Sequence, residues 1–116
     1  MDLMDRRRFH ELVDEAMDGL PAWVRERLEN VAVIVEDEPP EDDPDLLGLY
    51  QGVPLTERGA DYYGVLPDRI RLFRRVIEEE AESEEDVTRV VRETVIHEVA
   101  HFFGISDERL GELDRD

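Results

Sequence analysis

The feature that most constrains this chain is an eleven-residue segment near its end, which runs from His97 to Asp107. It reads His-Glu-Val-Ala-His-Phe-Phe-Gly-Ile-Ser-Asp, which is the pattern H-E-x-x-H-x-x-G-x-x-D. Because a helix turns by about 100° per residue, His97 and His101 would lie about 40° apart on one face, one turn from each other. Both imidazoles can then reach the same ion, so the spacing predicts a zinc site on a helix.

The rest of the segment supplies the other parts of a catalytic metal centre. Glu98 points about 60° away from His101, where a carboxylate can take a proton from a metal-bound water. Gly104 allows the chain to leave the helix with positive φ. The turn can bring Asp107 back as a third ligand, with an oxygen about 2.0–2.2 Å from zinc. Three protein ligands leave one position for water, as in catalytic zinc sites.

Asp107 also has a second interpretation. The run from Ser106 to Leu110 resembles the start of a short terminal helix, predicted from about Asp107 to Leu113. A capping Asp accepts hydrogen bonds from backbone N–H groups and is then less free to bind metal. The sequence favours Asp107 as the ligand, and Glu108 is the next oxygen donor.

The residues around the motif predict a helix with one buried face and one open face. Ser83 to Asp86 resembles a capping box, and the helix is predicted to run from there to about Phe103. Glu93 and Thr94 share the histidine side and could orient a ligating imidazole, although Glu93 could equally be a solvated helix residue. The opposite face is apolar and can pack on a core; it contains Val91, Val95, Ile96, Val99, Phe102 and Phe103.

Further helices are predicted before the motif. Apolar spacing predicts one helix from Phe9 to Gly19 and a shorter one within Pro21 to Asn30. A third short helical segment is predicted from Arg74 to Glu80. In the second of these, the side chains expected to point inward are Trp23, Val24 and Leu28.

Three segments are predicted to be strands. Val31 to Val35 is β-branched and predicts a central strand. Leu46 to Gln51 is a second strand, and the alternation in Asp68 to Phe73 predicts a third that is half-buried. Either of the last two could offer a sheet edge to an extended peptide. The predicted fold class is therefore α+β, with a small mixed sheet of about three to four strands packed against the motif helix and further helices.

The segment from Glu36 to Asp45 is predicted to be an acidic loop. Its three prolines disfavour regular structure. Its carboxylates could bind calcium, but the spacing of an EF-hand is absent, so a solvated acidic loop is the favoured interpretation.

Composition excludes several classes of partner and site. With 32 acidic and 14 basic residues, the net charge is -18, which would repel nucleic acid and anionic membranes. The chain has no cysteine, so a metal must be held by histidine and carboxylate.

Met1 to Arg8 is followed by no apolar run and no stretch could span a membrane, which predicts a cytoplasmic protein. The length fits a single domain over residues 1–116, and nothing in the sequence sets an oligomeric state.

The chain resembles the small bacterial zincin-like metallopeptidases called minimal zincins, whose extended motif is H-E-x-x-H-x-x-G-x-x-D. Leu47 to Arg58 and Leu66 to Phe73 also resemble segments of that family, and the resemblance extends from about Phe9 to Leu113. It implies a zincin-like α+β fold, one Zn²⁺ ion and a peptide or protein substrate. The site residues that it implies are His97, His101 and Asp107 as metal ligands and Glu98 as the catalytic base.

The motif also resembles that of the metzincins, which have a histidine in place of Asp107 and a Met-turn after the motif. Here the methionines are Met1, Met4 and Met17, all before the motif, and nine residues follow Asp107. This difference predicts that no lower subdomain walls the cleft, which argues against efficient, sequence-selective proteolysis.

Three functions are compatible with the sequence. The leading hypothesis is a zinc-dependent peptidase; the alternative is a non-catalytic or weakly active metal-binding or interaction domain. Hydrolysis of a non-peptide amide by the same groups is a third. Tyr62 or Tyr63 could place a phenol near an oxyanion, but core packing or loop anchoring is the favoured interpretation of both. Arg58 could bind a substrate carboxylate through two hydrogen bonds, although the sequence alone does not place it. His10 is interpreted as a surface or packing residue.

Overall fold

The computed structural model describes residues 4–62, 66–106 and 108–109. The helices in these residues are α1 (Arg6–Asp18), α2 (Ala22–Arg27), α3 (Arg74–Glu80) and α4 (Val87–Phe102). The strands are β1 (Val31–Glu36), β2 (Gly48–Gln51) and β3 (Asp68–Phe73), and a 3-10 turn covers Leu55–Glu57. The predicted α+β class is confirmed. Residues 37–47 contain no helix or strand, so the acidic loop predicted from Glu36 to Asp45 is confirmed except at Glu36, which ends β1. The strand predicted from Leu46 begins at Gly48.

The sheet is mixed, and its central strand is β3. In the described part of the chain, the strand order is β1-β3-β2, with β1 parallel and β2 antiparallel to β3. The prediction that Val31 to Val35 is the central strand is therefore wrong. All six residues of β1 are partly exposed, whereas Ile70, Leu72 and Phe73 of β3 are fully buried. A β-branched composition indicates that a segment can form a strand, but it does not indicate where in the sheet that strand lies. The position of the strand depends on which segment the core buries.

The core lies between one face of the sheet and helices α1 and α4. Phe9, Leu12 and Val13 of α1 meet the apolar face of α4, which in turn covers Ile70 and Leu72 of β3. As predicted, this face of α4 is formed by buried side chains: Val91, Val95, Val99 and Phe102. Burying each such side chain contributes about 1.5–3 kcal/mol to the free energy of folding. Burial of this face therefore fixes the orientation of α4 about its axis.

Two side chains predicted to be buried are exposed. Ile96 lies at the margin of the apolar stripe and is 48% exposed. Trp23 is 57% exposed, because the six-residue α2 turns only Val24 fully into the core. The Trp23 indole instead packs edge-on against Phe103, with ring centroids 5.8 Å apart.

Helix α4 begins slightly later than the predicted capping box. Its first residue is Val87, and Asp86 stands at the N-cap position without a side-chain cap bond. Ser83 Oγ accepts a hydrogen bond from the Asp86 N–H at 3.2 Å, and the Asp86 carboxylate accepts from the Glu82 N–H and from Arg89. The bond from Arg89 is the main reason that the pKa of Asp86 falls to about 2.

A buried ion pair within α3, between Arg74 and Glu78, binds the backbone of Met4 at the beginning of the described chain. Arg74 and Glu78 are 6% and 3% exposed. The Arg74 guanidinium donates to Met4 O at 2.5 Å, and the Met4 N–H donates to Glu78 Oε1 at 2.6 Å. Among the helices in the described ranges, none has the length and apolar character needed to cross a membrane.

Candidate metal centre

His97 and His101 lie one turn apart on α4 and face the same cleft. Their ring centroids are 4.8 Å apart, and their planes are inclined at 77°. Both side chains are half-buried. Two imidazoles that bind one tetrahedral ion through nitrogens at about 2.0–2.1 Å place their ring centroids about 5 Å apart. The histidine pair therefore has the separation that a shared zinc ion needs.

The cleft has a volume of about 490 Å³. One wall is α4, and the other is built by β2 and the segment that follows it. We call it the metal cleft; its lining includes Gly48, Tyr50, Pro54, Thr56, Glu57, His97, Glu98, His101, Gly104 and Ser106. The predicted base, Glu98, thus shares the cleft with both histidines and is only 6% exposed.

Gly48 allows β2 to approach α4 beside Glu98. A Cβ at this position would lie 2.9 Å from Thr94 Cγ2 and 3.2 Å from Glu98 Cγ. Real Cβ atoms essentially never show a contact as short as the one to Thr94, so any larger residue at position 48 would push the strand and the helix apart. Gly48 was not among the predicted site residues, although a glycine in a predicted strand is a sequence signal of such close contact.

A second chamber of about 720 Å³ adjoins the metal cleft. The two share Gly48, His97 and Glu98 in their walls. Its one lining arginine, Arg89, is paired with Asp86 at 2.7 Å and with Glu93 at 3.1 Å. We call it the acidic chamber, because its other charged lining residues, apart from the histidine, are Asp43, Asp45, Glu80, Glu93 and Glu98.

The third predicted ligand, Asp107, lies outside the described residues, as do residues 110–113 of the predicted terminal helix. Glu108 is exposed, and no group of three or more histidine, aspartate or glutamate residues in the described ranges is close enough to hold an ion. The short helical turn at Glu108 and Arg109 is capped by Ser106, whose Oγ accepts from the Arg109 N–H at 3.2 Å. The cap position is thus occupied one residue before Asp107.

Several side chains considered as assistants have other contacts. The Thr94 hydroxyl donates to Val90 O at 2.7 Å, and the Glu93 carboxylate accepts from Arg89. The Tyr62 hydroxyl accepts from Asn30 Nδ2 at 2.9 Å, while Tyr63 lies outside the described residues. His10 is exposed on α1, as predicted.

Arg58 is not available to bind a substrate carboxylate. Its side chain is 7% exposed and donates to Asp68 Oδ2 at 2.8 Å. Among the described residues, the tyrosine that lines the metal cleft is Tyr50, which no sequence pattern indicated. Its hydroxyl donates to Asp68 at 2.5 Å, and burial, followed by this bond, raises the pKa of Tyr50.

A family model described as zincin-like metallopeptidase matches residues 28–116, which include β1 to β3, α4 and the whole motif. The chain belongs to the zincin-like metallopeptidase family. This match confirms the resemblance inferred from the motif. The metal cleft is thus the cleft of a zincin-like domain, whose typical members hold zinc.

A solved structure has a similar fold to this zincin-like chain. It is a conserved hypothetical protein from Thermus thermophilus, similar over 97% of this chain and 100% of its own, with a TM-score of 0.56 and 24% identity. This likeness shows a common fold. No curated protein sequence matches the chain significantly.

The contact at Gly48 predicts that Gly48→Ala destabilises the domain. The methyl group must push β2 from Thr94 and Glu98, and overpacking of this kind costs about 1–3 kcal/mol. Urea unfolding should show this loss in the free energy of unfolding. Gly59→Ala is the control, because its methyl would meet the end of the Asp61 side chain at 3.3 Å. Equal stability of Gly48→Ala and wild type would contradict the close packing of β2 on α4.

Proposed function

We propose that the protein is a zinc-dependent peptidase, with His97, His101 and Asp107 as metal ligands and Glu98 as the general base. The observation that carries this proposal is the placement of both imidazoles and the Glu98 carboxylate on one cleft of a zincin-like domain. The 4.8 Å separation of the imidazoles supports zinc as the shared ion. Ser106 already caps the turn that follows, which supports Asp107 as a ligand rather than a cap.

Imidazole and carboxylate donors suit zinc, which when bound would act as a Lewis acid and lower the pKa of its water towards about 7. By its helical spacing from His101, Glu98 would stand beside a bound ion rather than on it. Its carboxylate would take a proton from the attacking water as the water oxygen bonds to the carbonyl carbon. Glu98 would then pass this proton to the leaving nitrogen as the carbon–nitrogen bond breaks.

The strand that walls the cleft supports a peptide as the substrate. In the described residues, β2 pairs only with β3, so its other edge borders the cleft. An extended peptide can add to such an edge through main-chain hydrogen bonds. The alternative edge considered in the sequence, Arg69 to Phe73, is excluded because β3 is paired on both sides.

The acidic chamber supports a preference for basic substrates. A peptide that crosses the metal cleft places the residues on one side of the scissile bond in this chamber, since both spaces share Gly48, His97 and Glu98. A lysine or arginine there would meet the carboxylates of Asp43, Asp45, Glu80 and Glu93. An acidic side chain would be repelled.

Removal of the proposed base should slow turnover strongly without removing the metal. Glu98→Gln keeps the shape of the side chain but cannot take a proton, so kcat should fall by about 10²–10⁴-fold. The measurement is hydrolysis of a fluorogenic peptide library by zinc-loaded protein, with zinc content determined in parallel. The control is Glu85→Gln, an exposed carboxylate before α4.

Unchanged cleavage by Glu98→Gln would remove Glu98 from its proposed role. Zinc binding by wild type without cleavage of any library peptide would instead favour a metal-binding domain without turnover.

Substrate charge should alter kcat/KM. Two matched peptides would carry either arginine or glutamate at the same position next to the scissile bond. On one side of the bond, kcat/KM should be about tenfold or more higher for the arginine peptide. Added salt should narrow the difference, because the carboxylates of the chamber rim are exposed. Glu93→Gln should reduce the preference, whereas Glu11→Gln on α1 should not. Equal rates for both peptides at low salt would contradict the preference.

A further inference from the structure

The loop of residues 52–58, which we call the wall loop, forms the side of the metal cleft that faces the end of α4. Three of its residues, Pro54, Thr56 and Glu57, line the cleft. It contains a single 3-10 turn, Leu55–Glu57, so little of its conformation is set by repeating backbone hydrogen bonds. Other contacts must hold it in place.

A buried carboxylate holds both ends of the wall loop. Asp68, the first residue of β3, is 2% exposed. Its Oδ1 accepts from the Val53 N–H at 3.1 Å, at the beginning of the loop. Its Oδ2 accepts from Arg58 at 2.8 Å, at the end of the loop, and from the Tyr50 hydroxyl at 2.5 Å. Both oxygens are therefore engaged with the loop and with the strand before it.

Arg58 closes the loop and connects it to the motif helix. Its Nε donates to Val53 O at 2.9 Å, which joins the two ends of the loop directly. Its guanidinium carbon lies 4.3 Å from the ring centroid of Tyr62 and 4.8 Å from that of Phe102 on α4. Cation–π contacts of this kind are strongest when desolvated, as they are here.

Two glycines show how tightly the loop is fitted on either side. A Cβ on Gly52 would lie 2.1 Å from Asp68 Cγ, so the loop passes directly against the carboxylate. Gly104 of the motif has φ +87°, and a Cβ there would lie 2.4 Å from Thr56 Oγ1. The wall loop thus touches Asp68 on one side and the turn after His101 on the other.

We infer that Asp68 is a positioning residue for the metal centre: it fixes the wall loop against Gly104 and so holds the turn that leads from His101 towards Asp107. The inference rests on the proposed function, because it takes this site as the metal centre. A turn that is already held needs less ordering when an ion binds, so the ligand set is preorganised. Asp68 acts through Val53, Arg58 and Thr56 rather than as a ligand.

The test uses zinc alone as the probe, in the full chain. Asp68→Asn keeps the size of the side chain but removes its charge. Its zinc affinity, measured by competition with a chelator at a temperature where circular dichroism shows full folding, should fall by about 2- to 30-fold. Glu78→Gln is the matched control, because Glu78 is equally buried but binds Met4 rather than the wall loop. Its zinc affinity should stay within about twofold of wild type.

A spectroscopic measurement separates positioning from general stability. The visible absorption of the Co²⁺-loaded protein reports ligand geometry, and it should change in Asp68→Asn but not in Glu78→Gln. If Asp68→Asn does not fold, Asp68→Asn with Arg58→Met avoids an unpaired buried charge and should show the same loss of zinc affinity.

Zinc affinity and a Co²⁺ spectrum equal to those of wild type, in a folded Asp68 variant, would overturn the positioning role while leaving the proposed function intact. Absence of zinc binding by the wild-type protein would overturn both.

Discussion

The packing of α4 on β3 and β2 is the constraint on which the rest of the structure depends. Val91 and Val95 of this helix are buried in the same core as Ile70 and Leu72 of β3. Phe102 of the helix is also fully buried. Because His97 and His101 lie on another side of the same helix, burial of the apolar stripe turns them towards the β2 edge. The hydrophobic core therefore orients the proposed metal ligands His97 and His101, and Gly48 allows β2 to approach the helix closely.

Polar contacts hold the part of the cleft that the apolar core does not reach. The core fixes α4, but the opposite wall of the cleft is an irregular loop, and the buried pair of Asp68 and Arg58 holds that loop. The pair also stands against the Phe102 ring, so the same residue that packs the core also supports the loop. Around this rigid centre the surface is acidic, and the acidic chamber brings that charge to the metal cleft. The apolar core and the buried ion pair thus determine the shape of the metal cleft. The charged residues at the rim of the acidic chamber account for the proposed substrate preference.

Local patterns in the sequence predicted much of this arrangement, and tertiary packing decided the rest. The motif helix, its buried face and the shared cleft of His97 and His101 follow from helical spacing alone. Strand order does not, because any of the three segments could pair on both sides. The strand in the centre is β3, in which Ile70, Leu72 and Phe73 are fully buried. The contact between Asp68 and Arg58 joins residues that are ten positions apart in the sequence. The loop between them has no helical or strand periodicity, so no local sequence pattern predicts this contact. Ile96 was misplaced because it lies at the margin of the stripe, where a small rotation of the helix exposes it.

The most direct test of the central claim is anomalous diffraction at the zinc edge from crystals of the zinc-loaded protein. The proposed zinc site predicts one ion in the metal cleft, with nitrogens of His97 and His101 at about 2.0–2.1 Å and an oxygen of Asp107 at about 2.0–2.2 Å. Zinc bound only by carboxylates of the acidic loop, with none between the two imidazoles, would contradict it.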